Sequence, residues 1–154
     1  MRSPHTVQSE ATFRPEDIMK ALDALAPAQT LNHETRAVHA AAFFSRRQGL
    51  VAIREDVGRH NALDKLAGAL ARRRVLTVDG FVIFTSRVSV EMIQKAAAIG
   101  VPLVVAVSAP TALAVRMAEV AGITLVAVAR HDGFEIYANA HRLVQSASTE
   151  KSEF

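Results

Sequence analysis

The sequence predicts an α/β domain, a three-layer α/β/α sandwich built on a mixed sheet. Three observations carry that reading. Between residues 81 and 129, short near-continuous apolar runs alternate with amphipathic segments, the pattern of strands covered by helices on both faces. Gly100 and Gly122 each follow one of the amphipathic segments, where a helix closes on a left-handed glycine. Asp132-Gly133 separates two further apolar runs, a strong signal for a tight antiparallel hairpin, so the sheet cannot be wholly parallel.

The elements follow in order. Met1 to Thr12 is polar and aperiodic and reads as a disordered lead-in, residues 1–12. Pro15 opens a helix with Glu16 and Asp17 in its first turn and Ile18, Leu22 and Leu25 as its apolar stripe; Pro27 is expected to end it. Val38–Phe44 and Leu50–Arg54 flank the turn-like Ser45-Arg46-Arg47-Gln48-Gly49 and read as a hairpin, although the alanine triplet Ala40-Ala41-Ala42 would also suit a helix. A helix follows from about Gly58 to Arg72, with Ala62, Leu66, Ala69 and Leu70 on one side. Phe81–Thr85, Pro102–Val107 and Ile123–Ala129 read as strands, joined by helices over Ser89–Ile99 and Pro110–Val120. Phe134–Tyr137 is the returning strand, and residues 145–154 read as a flexible tail to a domain spanning 13–144. No internal repeat or low-complexity segment is present.

Composition narrows the function classes. The 154 residues are 50% apolar and 21% charged, which fits one globular domain. Aromatics make up 5% and Trp is absent, so the core is expected to be Ala, Val, Leu and Ile. With no cysteine, the sequence offers no disulfide, no thiolate nucleophile and no cysteine-based metal site. The N-terminus lacks the apolar stretch of a secretory signal, and no run approaches the ~20 apolar residues of a membrane span, so a cytoplasmic protein with no membrane partner is expected. The net charge is +3, and Arg72-Arg73-Arg74 reads as a solvated helix end. No aromatics interleave with that run to stack bases, and nucleic acid is not an expected partner.

In open α/β sheets, ligands gather beyond the strand C-termini, where helix N-termini point. Three segments of this sequence fall there. In Arg54-Glu55-Asp56-Val57-Gly58-Arg59-His60-Asn61-Ala62-Leu63-Asp64-Lys65, the residues Asp56, His60 and Asp64 recur every fourth position and would share a helix face if the helix starts early enough. A carboxylate beside His60 would then raise its pKa and fix its tautomer. A capped helix start with Asp56 as N-cap explains the same residues. Thr85-Ser86-Arg87-Val88-Ser89 combines hydroxyls and a guanidinium at a strand-to-helix junction, which suits an anion; capping by Ser86 or Ser89 is the plainer account. In Ser108-Ala109-Pro110-Thr111, Ser108 and Thr111 can cap the next helix while Pro110 pre-sets its first turn. The remaining histidines show no metal-ligand spacing, His39 reads as a packed residue, and neither a catalytic set nor a metal site is expected.

The long string from Arg54 to Lys65 resembles the signature of the FdhD family, the formate dehydrogenase accessory sulfurtransferases. Further blocks fall in the same order: Val38-His39-Ala40-Ala41-Ala42-Phe43, then Arg87-Val88-Ser89-Val90-Glu91 with Lys95-Ala96-Ala97, then Ser108-Ala109-Pro110-Thr111 with Leu113-Ala114-Val115, and finally Phe134-Glu135-Ile136-Tyr137. The resemblance runs from about residue 13 to 144. It implies a fold similar to cytidine deaminases, which begin with a helix and hairpin. Arg59-His60-Asn61 would then stand where deaminases place a zinc ligand and a catalytic glutamate. Asn61 cannot act as a general base, so a zinc deaminase is disfavoured.

The resemblance further implies binding of a molybdenum or tungsten bis(guanine dinucleotide) pterin cofactor, with GDP as a mimic. Family members take sulfur from a cysteine desulfurase as a persulfide and deliver it to that cofactor for formate dehydrogenase. Carried over by position, the implied cofactor-binding residues are Arg59, His60, Asn61, Arg87, Ser89, Ser108, Ala109, Pro110, Thr111, Phe134, Glu135, Ile136, Tyr137, Ala138 and Asn139. The implied partners are formate dehydrogenase, a cysteine desulfurase and a second copy of the chain. Two departures stand out. The Cys-x-x-Cys pair that carries persulfide in the family has no counterpart in Met1–Thr12, and the family's Thr-Gly-Gly reads Thr35-Arg36-Ala37. The expectation is therefore a binding-only accessory chain, with half of a split sulfurtransferase or a non-catalytic regulator of dehydrogenase maturation as alternatives.

Overall fold

Proline at the first turn, two acids behind it and an apolar stripe at helical spacing produce helix α1, Pro15–Ala28. The computed structural model describes residues 6–29, 38–130 and 132–144. Pro27 does not end α1, which runs one residue past it and closes with Gln29 N–H donating to Ala26 O at 3.2 Å. A proline in the last turn lacks only its own N–H, and both Pro27 and Asp23, four residues back, are exposed to water.

Strands β1 (His39–Ser45) and β2 (Gly49–Asp56) form the expected hairpin, which settles the alanine triplet as strand. Helix α2 (Arg59–Arg72) crosses back and ends in Arg73 and Arg74. A single 3-10 turn, Thr77–Asp79, leads into β3 (Gly80–Phe84). Helix α3 (Val90–Ala98), β4 (Leu103–Ala106), helix α4 (Ala112–Ala121), β5 (Thr124–Arg130) and β6 (Gly133–Ala138) complete the chain, followed by a 3-10 turn at Ala140–Arg142. Gly100 and Gly122 take positive φ at the ends of α3 and α4, as their places in the sequence predict.

The six strands lie in the order β2-β1-β3-β4-β5-β6. Pairing is parallel for β3/β4 and β4/β5 and antiparallel for the other three neighbours, so the sheet is mixed. Helix α1 covers one face, where Ile18, Ala21 and Leu25 meet Phe44, Phe81, Ile83, Leu103 and Val126. Helices α2, α3 and α4 cover the other, where Leu63, Leu66, Met92, Ile93 and Ala118 meet Phe43, Val82, Phe84, Val104 and Leu125. These are the three layers expected. Each fully buried Leu, Ile or Phe contributes roughly 1.5–3 kcal/mol by leaving water.

The segment read as a disordered lead-in is packed over its described part. Val7 is buried, its N–H donates to Ala121 O at 2.8 Å, and the Ser9 hydroxyl donates to Val78 O at 2.7 Å. One apolar anchor and a few backbone bonds hold a stretch whose composition is otherwise polar. Phe13 likewise bridges to Leu143, tying the two ends of the domain together. Thr35-Arg36-Ala37, Met1–His5 and residues 145–154 lie outside the described residues. No helix among the described residues is long and apolar enough to cross a membrane.

Candidate functional site

One edge of the sheet gathers the polar junctions. His39 at the start of β1 pairs with Asp56 at the end of β2. Thr85, just beyond β3, donates its N–H to Ala40 O at 3.1 Å and accepts from Ala40 N–H through its hydroxyl at 2.9 Å. Val107, just beyond β4, donates to Phe84 O at 3.0 Å. The C-termini of β2, β3 and β4 therefore stand in a row, and the N-termini of α2, α3 and α4 return from that same edge.

The two crossing loops are laced together. Val88 and Pro110 form a parallel bridge, and Thr111 N–H donates to Val88 O at 3.1 Å. This sets Arg87–Ser89 beside Ser108–Thr111 and fixes the first turns of α3 and α4 as neighbours. Helix α2 joins them through an ion pair between Lys95 and Asp64 at 2.8 Å. Arg59 and His60 lie close enough to Glu91 to act on its carboxyl, which is held below its ordinary value first by its own N–H, next by the nearby Ser89 side chain, and then by the electrostatic influence of these two side chains. Arg59, His60, Asn61, Arg87, Ser89, Ser108, Ala109, Pro110 and Thr111 are thus brought to one edge.

Capping accounts for only one of the hydroxyls. Thr111 Oγ1 accepts from Ala114 N–H at 3.1 Å and caps α4. Ser86 caps nothing; it is buried and donates to Arg87 O at 3.1 Å. No side chain caps α2 or α3 at Gly58 or Ser89. Ser108 Oγ is buried without a hydrogen-bond partner, and Ser89 Oγ is buried without one of good geometry. Buried hydroxyls normally find a partner, so Ser108 Oγ stands out as an unsatisfied group at this edge. Arg87 is exposed in the same loop as Ser89 and makes no ion pair among the described residues. Val128, a β-branched residue with φ 54°, forms a bulge of β5 behind Ser108 and donates to its carbonyl at 3.4 Å.

One expectation is corrected. Asp56, His60 and Asp64 do not share a helix face, because α2 begins at Arg59 and Asp56 belongs to β2. Asp56 braces the helix start instead, accepting from Gly58 N–H at 2.9 Å, Asn61 Nδ2 at 3.2 Å and Lys65 Nζ at 2.8 Å. Those three contacts, Lys65 foremost, lower its carboxyl to about 2. The stretch Phe134–Asn139 runs along β6 away from the candidate edge. Gly133 pairs with Arg130 at the candidate edge, whereas Ala138 pairs with Leu125 at the opposite one. Phe134 packs toward the α1 layer and Tyr137 toward the α2–α4 layer. Ile136 is exposed between them, and Tyr137 donates to Glu135 at 3.0 Å, which raises the phenol above its ordinary pKa. Asn139 spends its side-chain amide on Ala118 O and Ile123 O, both at 2.9 Å, at the far end of α4.

Asp56 and Lys65 lie in the first candidate segment, where the sequence does not show that they pair; Glu91 is the residue that sequence reasoning did not place in the site. Glu91 stands inside the Arg87-to-Glu91 block, and that membership was its available signal.

The FdhD/NarQ family model matches residues 1–144 of this chain. The chain belongs to the FdhD/NarQ family. Three curated relatives, each named sulfur carrier protein FdhD, give the scale of likeness to that family. The one from Agrobacterium fabrum is 53% identical over 141 residues, covering 92% of this chain and 52% of its own length. The one from Brucella abortus is 55% identical over 130 residues (84% and 48%), and the one from Xanthomonas campestris pv. campestris 47% over 143 residues (93% and 51%). The chain thus spans about half the length of the FdhD relatives it matches. Its fold superposes with a TM-score of 0.85, at 26% identity, on the crystal structure of "a putative formate dehydrogenase accessory protein from Desulfotalea psychrophila", covering 92% of this chain and 60% of that one.

Proposed function

We propose that this chain is the cofactor-binding part of a formate dehydrogenase sulfur carrier, holding the guanine-dinucleotide pterin of molybdenum or tungsten while another polypeptide segment supplies the sulfur. The observation that carries the reading is the laced pair of loops Arg87–Ser89 and Ser108–Thr111. They bring Arg87, which makes no ion pair among the described residues, the unpartnered Ser108 hydroxyl and the first turn of α3, without a side-chain cap, to the same end of the sheet. Backbone N–H groups at a helix start, a cation and hydroxyl donors are what a diphosphate needs. Arg59, beside His60 on the adjacent helix start, extends the cationic rim.

The bound cofactor is cargo, and its metal is the atom that accepts sulfur. This chain's own residues bind and orient the dinucleotide; none of its 154 residues is a cysteine, so none can form a persulfide. Sulfur then comes from a thiol outside these residues, charged by a cysteine desulfurase, and the loaded cofactor passes to formate dehydrogenase. The half-length match to proteins named sulfur carriers supports that division of labour. A second copy of the chain is a further partner on this reading.

Calorimetric titration with GDP tests it. Saturable binding is expected, and Arg87→Ala should weaken it roughly tenfold, the loss of one charge-assisted contact. Absence of binding at millimolar GDP, or equal affinity after the substitution, would overturn the reading.

A further inference from the structure

The turn between β1 and β2 stands at the opposite end of the sheet from the candidate edge, where Ser45 pairs with Gly49 and with Gly80. Between this turn and the end of α2 lies a cavity of about 390 Å³. Val51, Val75 and Leu76 give it apolar surface, and Arg47, Arg73 and Arg74 give it charge. Leu76 is 69% exposed. Arg73 is tied to β2 by donating to Val51 O at 3.1 Å. The acid among the lining residues, Asp79, is already held by Arg46. Arg47, Arg73 and Arg74 make no ion pair among the described residues. Across the turn, a second groove of about 370 Å³ adds Lys20 of α1, and its acid, Asp17, pairs with Arg14 at 3.8 Å. The acids of this end are thus spent within the chain while four cations are not.

We propose that this end of the molecule docks an acidic segment of a partner protein. Carboxylates of the segment meet Arg47, Arg73 and Arg74, and an apolar side chain between them rests on Val51, Val75 and Leu76. The inference is independent of the cofactor reading, because it uses no residue of the candidate edge. A compact anion such as phosphate needs donors that converge on one point, backbone N–H groups included. Here those groups are spent, since Arg73, Arg74 and Val75 donate their N–H to Ala69, Ala71 and Leu70 carbonyls. The end of a helix is also its negative pole, so the attraction must come from the guanidiniums alone. They are spread from the turn to the end of α2 beside apolar surface, a layout that suits an extended chain with repeated carboxylates. No aromatic ring lines the cavity to stack a nucleic-acid base. Arg74 adds a separate argument. It holds a left-handed position, φ 54°, that strains any residue but glycine. A guanidinium carried at such a position, with no acid of its own chain to hold, is placed for a group outside the chain. A partner docked here leaves the candidate edge uncovered.

Fluorescence anisotropy of the full chain with a labelled peptide of glutamates and interspersed leucines tests the site. A control peptide carries glutamine in place of each glutamate. The acidic peptide should bind saturably and release as salt is raised, and the control should not bind. Arg47→Glu should weaken binding roughly tenfold and Arg74→Gly roughly threefold. Leu76→Asp should also weaken it, by removing apolar contact and adding like charge. All three positions are exposed, and glycine suits the backbone of Arg74, so the fold is kept and circular dichroism verifies it. No binding at millimolar acidic peptide, or equal affinity after Arg47→Glu and Arg74→Gly, overturns the proposal. So does displacement of the peptide by an equal concentration of inorganic tripolyphosphate or of a single-stranded oligonucleotide, which would make this a site for phosphates rather than for a protein segment.

Discussion

Lys65 reaches back from the second turn of α2 to set its ammonium 2.8 Å from the carboxylate of Asp56, at the end of the preceding strand. Gly58 N–H and the Asn61 amide bind the same carboxylate. The start of α2, with Arg59 and His60 on it, is therefore fastened to the sheet edge by one acid.

That acid should titrate abnormally low. Its carboxyl is held at about 2 rather than 3.8, by Lys65 first, then Gly58 N–H and Asn61. A depressed folded pKa stabilises the fold above the unfolded value, so the contribution is complete above pH 3.8 and is lost as the pH falls through about 2. Carboxyl NMR should find a midpoint near 2 for Asp56, rising when Lys65 is replaced by Met. A midpoint at 3.8 in the wild type would mean that the brace does not form in solution.

The two hydroxyl residues of the second crossing loop should separate stability from binding. Thr111→Ala removes the cap of α4 and should cost about 1 kcal/mol in chemical denaturation. Ser108→Ala removes a buried hydroxyl that has no partner, so stability should hold or rise slightly while GDP affinity falls. Equal GDP affinity for Ser108→Ala and wild type would remove Ser108 from the ligand site.

Arg74 occupies the left-handed position that ends α2, with φ 54°. Its N–H donates to Ala71 O and Val75 N–H to Leu70 O, the bond pair that normally surrounds a glycine there. Arg74→Gly should stabilise the protein by roughly 1 kcal/mol, read as a higher denaturation midpoint. A lower midpoint would show that the guanidinium makes a stabilising contact of its own.

Most of the fold was legible because its signals are local. Asp132-Gly133, Gly100 and Gly122 each announce a turn or helix end within a few residues, and the structure places those ends there. The hairpin at β1 and β2 was ambiguous in sequence because alanines suit either state; pairing with β3 decided it. What escaped depends on distant partners. Val7 is buried by Ala121, and Asn139 is committed to Ala118 and Ile123. Gly80 is a glycine because a side-chain carbon there would stand 2.3 Å from Phe44 O, a strand away. At the candidate edge, the residue types were readable, but the start of α2 was not fixed to the residue. A shift of that start took Asp56 off the helix and made it a brace of the helix start rather than a neighbour of His60 and Asp64 on one helix face.

The strand order also has a kinetic consequence. Each flank of the sheet contains a hairpin, β1–β2 and β5–β6, whose closure spans only a short loop. The parallel centre, β3–β4–β5, can pair only after α3 and α4 have carried the chain across, so its ladder bears most of the loop-closure entropy. Two preformed ribbons then wait on a late-zipping middle. The crossing loops held by Val88 and Pro110 sit on that middle, so the candidate edge should be among the last parts of the molecule to acquire its shape during refolding.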